Sequence, residues 1–335
     1  MSNLRPTPRA ACLAGLLFSL LPAGCGKGPA FGTDNAIIAV LDPSLREGLE
    51  PVIREALERE VFTTRPEPVF EVTFTTPAEI GEFRRWRRIL IVEPTAESVL
   101  LDEVVDVPDQ GPVVAEVEDA WARNQTIWVV AGETPAATGE LVRARIDSLY
   151  GVILTDFLEH HVDRMWASGR DSALAGRLLD SLGFSLLLPR VYETAPGSTP
   201  PGSRVWYNED PRRVIAVHWL PRPDSLDPDS VLSLRRDWGR QIYPQDTIPA
   251  EPSLQVSDTR LDGRPAVRLQ GVWQAADGSG AGLFLTYGVI CGERLILLDG
   301  NVYAPERNKV PFLFQLERIF ATFRCAGGQP AGGMA

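Results

Sequence analysis

Asp156, Glu159, His160 and Asp163 stand three and four residues apart, so a helix through them carries all four on one face. Carboxylate oxygens and an imidazole on one face are ligands for a divalent metal, and Asp156, His160 and Asp163 are the nearest thing in this chain to a metal set. The competing reading is a solvated face, because Leu154, Leu158, Met165 and Trp166 occupy the opposite side and a half-exposed helix turns its charges to water. His161, one residue along, points elsewhere. A second chemistry would draw paired carboxylates from Asp156, Glu159, Asp237 and Glu293. Two of these facing each other at roughly 5 to 10 Å would suit hydrolysis of a cell-wall or other glycan.

Other catalytic patterns are missing from the sequence. There is no Gly-x-Ser-x-Gly elbow to present a nucleophile. Gly278-Ser279-Gly280-Ala281-Gly282 runs into the apolar strand Leu283-Phe284-Leu285, whereas a phosphate cradle opens a helix; it reads as a hairpin turn. His218, between Val217 and Trp219, reads as a strand histidine. No catalytic residue is assigned and no cofactor is expected. Binding is better served, since Trp206, Tyr207, Trp219, Trp238, Trp273 and Tyr303 gather in the second half and aromatic side chains are favoured anchors at interfaces.

These residues need a scaffold, and the hydrophobic pattern describes one in two halves. In the first, unbroken apolar strands at residues 36–41 and 89–92, a half-buried strand at 70–74 and a strand at 126–130 alternate with helices near 45–60 and 113–124. Asp42 is a cap for the first helix, with Pro43 at its opening position. A long helix from 135 to 168 carries the stripe Val142, Ile146, Leu149, Ile153 and Phe157, with Gly151 a candidate break. The second half reads as strands, a helix at 232–241, then strands at 267–274, 283–290 and 295–302 and a closing helix with Phe312, Leu316, Ile319 and Phe323 on one face. Residues 194–203 read as a long loop. The expectation is an α+β / α/β fold: an N-terminal α/β layer at 35–168, then an antiparallel sheet at 169–325 with helices packed on one face.

The chain is acidic, with formal net charge −11 over 335 residues. That excludes phosphate-backbone binding as a leading function, so no nucleic-acid partner is expected. The one basic cluster, Arg84-Arg85-Trp86-Arg87-Arg88, abuts Ile89-Leu90-Ile91-Val92 and reads as the flank of a buried strand rather than an anion site. At the N-terminus, Arg5 and Arg9 precede a short apolar run and the small-residue signal Ala23-Gly24-Cys25. Residues 1–24 are expected to be a signal peptide and Cys25 the lipidated first residue of a bacterial lipoprotein; the alternative is ordinary secretory cleavage near Gly24 that leaves a thiol. Residues 25–34 then form a tether and 326–335 a flexible tail. Gly26, where some diderm lipoproteins carry a retention Asp, points to the outer membrane, facing the periplasm. No later segment is a transmembrane candidate, so the expected partners are the membrane, through the anchor, and an envelope protein or glycan. In that oxidising compartment Cys291 and Cys325 are expected to pair, since the strand leaving Cys291 and the helix returning to Cys325 have comparable lengths.

Asn35 to Glu47, Glu67-Pro68-Val69-Phe70, Arg88-Ile89-Leu90-Ile91-Val92, Gly183-Phe184-Ser185 with Pro189, Arg236-Asp237, Gly271-Val272-Trp273 and Val302-Tyr303-Ala304-Pro305 resemble family 4837 of the domains of unknown function. The resemblance spans about residues 34 to 323 and implies an exported bacterial lipoprotein. It supplies no catalytic residues.

Overall fold

The computed structural model describes residues 27–108, 110–197, 199–243, 246–248 and 254–326. The expected signal peptide, Cys25 and residues 327–335 of the expected tail lie outside them. In the first lobe, β1 (Ala36–Leu41) leads to α1 (Arg46–Leu57), and β2 (Glu60–Phe62) pairs with β3 (Pro66–Pro68) as a small hairpin. Then come β4 (Glu71–Thr75), β5 (Arg88–Val92), the single turn α2 (Leu101–Val104), β6 (Val113–Glu118), β7 (Thr126–Ala131) and α3 (Pro135–Trp166). The sheet order is β4-β1-β5-β7-β6. β1, β4, β5 and β7 are parallel and β6 is antiparallel.

β1, β5 and β7 are buried along their whole length, as apolar strands covered on both faces must be. Ile37, Leu90 and Trp128 face α1 and α3; Ile38, Ile89 and Ile127 face Ile80, Leu100 and Leu101. α3 opens with Thr134 accepting from the Ala137 amide and Pro135 in its first turn. It runs unbroken through Gly151, which faces open space. Asp42 accepts from the Ser44 amide ahead of α1 rather than capping the helix, whose N-cap is Leu45.

The segment at 113–124, read from sequence as a helix, is instead the edge strand β6 and a turn. Val113 is buried and Val114, Glu116 and Glu118 are exposed, which is the period-two pattern of a strand with one covered face. Asp119 and Asn124 then take positive φ (55° and 59°), conformations these short polar side chains tolerate, and the Gln125 side chain accepts from the Trp121 and Ala122 amides. The tether reading also changes. From Lys27 onward the chain is pinned to the lobe: Ala30 and Phe31 amides donate to the Arg123 and Arg85 carbonyls, and Gly28 and Phe31 carbonyls accept from Arg123 and Arg87.

The second lobe begins with α4 (Ser172–Leu182), a helix the sequence reading missed, followed by β8 (Phe184–Ser185), β9 (Glu193–Thr194), β10 (Ser203–Glu209), β11 (Arg212–Pro221) and α5 (Pro228–Ile242). β12 (Asp246–Thr247), β13 (Gln255–Leu261), β14 (Arg264–Ala275), β15 (Ala281–Cys291), β16 (Arg294–Tyr303), α6 (Val310–Phe320) and β17 (Arg324–Cys325) complete it. The antiparallel sheet runs β12-β14-β15-β16-β11-β10-β9, with β13 also paired to β14. α6 covers one face through Leu313, Leu316, Ile319 and Phe320. α5 covers the other through Val231 and Trp238, so helices lie on both faces rather than one. That is why eight consecutive residues of β15 are buried. Cys291 and Cys325 are joined by a disulfide with Cα atoms 5.7 Å apart.

The lobes meet through a buried ion pair, Glu67 with Lys309 Nζ at 3.0 Å. Asn308 donates to the Pro68 carbonyl, Gln270 to that of Phe62, and Phe157 packs edge-on to Phe314.

Candidate functional site

The register across β14, β15, β16 and β11 builds a site on the α5 face of the sheet. Trp273 stands opposite Gly282 and Arg212 opposite Tyr303, and Gly282 and Tyr303 each lie one residue outside the Leu283–Val302 pair that joins β15 to β16. One rung inward on the same face lie Phe284, Asn301 and Val214, and beyond them Thr286, Asp299 and Ala216. α5 rests over the inner rungs and stops short of the outer one. Its end, Ile242 and Tyr243, therefore walls a cleft of about 600 Å³ lined by Trp273, Tyr303, Arg212 and Asn301.

Two glycines seat the rings. A Cβ on Gly282 would lie 2.6 Å from the Trp273 indole, and one on Gly280 would lie 2.8 Å from the Tyr303 ring. Each ring rests one face on bare backbone, and the two centroids are 5.9 Å apart at 42°. Beneath them Arg235, 4% exposed, pairs with the fully buried Asp299 at 3.0 Å, stacks over Phe284 at 4.0 Å and donates to Asn301 Oδ1 at 3.2 Å. Thr286 donates to Asp299 as well. This network fixes Asn301 with its oxygen engaged, while its Nδ2 and the Trp273 Nε1 are buried donors without an acceptor. Among the described residues no carboxylate or imidazole lines the cleft. Its chemistry is stacking and hydrogen-bond donation.

The residues singled out from sequence are distributed otherwise. Asp156 is consumed: one oxygen accepts from Arg88 Nε at 2.7 Å and the other from Thr126 Oγ1 at 2.8 Å. Arg88, fully buried, is the inward end of the basic cluster, and burial lowers its pKa against the pull of Asp156. Glu159 and Asp163 are exposed, and His160 is half-buried. Among the described residues no cluster of three or more His, Cys, Asp or Glu is placed to hold a metal ion. Asp237 pairs with Arg240 in solvent and Glu293 is exposed at the β15–β16 turn. None of the four carboxylates lines the cleft above or the inter-lobe cleft below, so the geometry does not bring them together at a site.

Of the aromatics, Trp206 and Trp238 are core. Trp238 stacks on His218 at 5.0 Å and 8° and donates to Ser203 Oγ, and His218 in turn bonds the Gly202 carbonyl; the histidine is structural. Burial lowers its pKa. Trp273 and Tyr303 alone of the six line the cleft. Asn301 and the Arg235–Asp299 pair were not singled out, although Asp299 and Asn301 interrupt the apolar run of β16, and a polar residue in such a strand needs a buried partner.

A second cavity, about 790 Å³, lies between the lobes. Two ion pairs stand in its walls, Asp34 with Arg164 and Asp210 with Arg307. His161, 3% exposed, closes its floor against Phe157.

Comparison with known proteins adds family and no chemistry. Residues 171–322 match the family Domain of unknown function (DUF4837), and residues 30–165 match Domain of unknown function (DUF8532), so the resemblance read over 34–323 divides between two families. No curated protein matches. Among solved structures, cyanobacterial PsbP (CyanoP) from Synechocystis sp. PCC 6803 shares 14% identity over 43% of this chain and 86% of its own, with a TM-score of 0.34. A protein of Bacteroides thetaiotaomicron VPI-5482 shares 12% over 45% of this chain and 47% of its own, with a TM-score of 0.29. The second lobe is thus similar to the DUF4837 family and the first to the DUF8532 family.

Proposed function

We propose that this protein is a non-catalytic lipoprotein of the bacterial cell envelope that binds a saccharide in the Trp273–Tyr303 cleft. The observation that carries the reading is the pair of aromatic rings seated against Gly280 and Gly282 and lining the cleft. The flat C–H face of a pyranose stacks on an indole or phenol ring, and its hydroxyl oxygens offer acceptors to the Arg212 guanidinium that also lines the cleft. Among the described residues no carboxylate lines the cleft, which favours a neutral or anionic ligand over a cationic one, with Arg212 at the rim for a negative substituent. The export signal and Cys25 support an anchored protein, and Gly26 supports the outer membrane facing the periplasm.

Titration with chitotetraose and with a muramic-acid-containing cell-wall fragment, followed by tryptophan fluorescence, tests the reading. Saturable quenching that disappears in Trp273→Ala and Tyr303→Ala supports it. Binding indifferent to both substitutions, or none at millimolar sugar, overturns it; Trp273-dependent crosslinking to an envelope protein would replace the sugar with a protein partner.

A further inference from the structure

The first lobe's own surface says which way an anchored protein would face. The chain is fixed to the body by four backbone hydrogen bonds between residues 28–31 and Arg85, Arg87 and Arg123. Only Gly26 and Lys27 separate that fixed segment from Cys25. Three Cα steps reach about 10 Å at full stretch, little more than the depth of one headgroup layer. A lipid on Cys25 therefore holds this end of the lobe against the bilayer.

The surface there suits the position. Lys27, Arg85, Arg87 and Arg123 have no carboxylate within ion-pair distance among the described residues, in contrast to Arg84, which is paired with Glu103. Three of them donate to neutral groups: Lys27 to the Asp119 carbonyl, Arg85 to that of Pro29 and Arg87 to that of Asn124. The neighbouring Asp119 carboxylate is turned inward onto the Asn124 and Gln125 amides. Phe31, 47% exposed, projects between Arg85 and Trp86. Four cations without an ion pair and an exposed aromatic thus stand together near the end of the described chain that leads to Cys25.

We propose that this face, Phe31 and Trp86 ringed by Lys27, Arg85, Arg87 and Arg123, lies on the membrane and binds anionic phospholipid headgroups. The proposal rests on lipidation at Cys25 and is independent of the cleft. Each cation near an anionic surface contributes about 1 kcal/mol, roughly a fivefold factor in binding, and an aromatic ring settles at the headgroup level.

The test is hydrogen exchange on the lipidated, processed chain in phosphatidylcholine vesicles, in vesicles with 30% phosphatidylglycerol, and in detergent, after mass spectrometry of the Cys25 peptide. Amides of 28–33, 85–87 and 121–124 are expected to slow in the anionic vesicles relative to detergent, while those of 273–280 do not change. Arg85→Gln with Arg123→Gln, both exposed, should remove most of that slowing, and Arg318→Gln should not. An acylated protein whose 28–33 and 85–87 amides exchange alike in all three settings overturns the proposal. An unacylated Cys25 overturns the lipidation on which it stands.

Discussion

Gly282 lies directly opposite Trp273 in the β14–β15 ladder, where a Cβ would fall 2.6 Å from the indole and 2.0 Å from the Val302 carbonyl oxygen. The second contact is with backbone in the middle of a sheet and cannot yield. Gly282→Ala is therefore expected to destabilise the second lobe by about 1–3 kcal/mol, as overpacking does, and to tilt Trp273 out of the cleft. Gly280→Ala meets only the far edge of the Tyr303 ring, which can swing aside. It should leave the melting temperature within about two degrees of the parent and still weaken saccharide binding. Thermal melts and the titrations above, run on both variants, separate the two effects.

Glu67 and Lys309 are 3% and 4% exposed, and Glu67 also accepts from Thr63 Oγ1 and the Lys309 amide. Glu67→Ala leaves an ammonium buried between the lobes with one carbonyl for company. The expected cost is about 3–5 kcal/mol, seen as a lowered denaturant midpoint. Glu67→Ala combined with Lys309→Met should recover a good part of it, because the stranded charge is what destabilises. A single variant that unfolds at the parental midpoint would refute this account of the junction.

The parts legible in the sequence are those whose period is set by one physical demand. Ile37 to Leu41 and Ile89 to Val92 are apolar on both sides because helices or loops cover both sheet faces, and the stripe from Val142 to Phe157 marks the single core face of α3. β6 was illegible because Val113 to Glu118 fits a helix or a one-sided edge strand equally, and pairing with β7 decides. The cleft was illegible for a different reason: Trp273, Tyr303 and Asn301 meet only through the rungs of three strands, and Trp238, of the same residue type, is core. Asp156 showed the converse, a residue with metal-ligand spacing whose oxygens are taken by Arg88 and Thr126 from another layer.

Cys291 and Cys325 tie the β15–β16 turn to β17, the strand that pairs with β8. Their separation of 34 residues puts the chain-entropy contribution at up to about 4 kcal/mol. Cys291→Ser with Cys325→Ser should lower the melting temperature by several degrees and make it insensitive to dithiothreitol, while the parent protein loses the same increment on reduction. Equal melting of oxidised and reduced parent protein would show that the bridge does not constrain the unfolded chain.

His161 makes stability depend on pH in a direction that can be worked out. Burial, then the positive charges of Arg88 and Arg164 with the neighbouring His160, push its pKa down from 6.5 to about 4, and Asp34 only partly opposes them. His160 is lowered to about 4 by burial and by Arg87, Arg88 and Arg164, again against Asp34. The native imidazoles stay neutral while the unfolded chain takes up protons near its ordinary value. Their contribution is therefore fully present above about pH 6.5 and is lost as pH falls toward 4, where the loss from His161 is on the order of 3 kcal/mol and that from the half-exposed His160 is smaller. The denaturant midpoint should be level from pH 8 to 7 and decline between 6.5 and 4. His161→Phe, which fills the site against Phe157 without a titrating group, should flatten that decline while leaving the remaining carboxylate-driven loss below pH 4. A slope in His161→Phe as steep as in the parent would place the acid sensitivity elsewhere in the molecule.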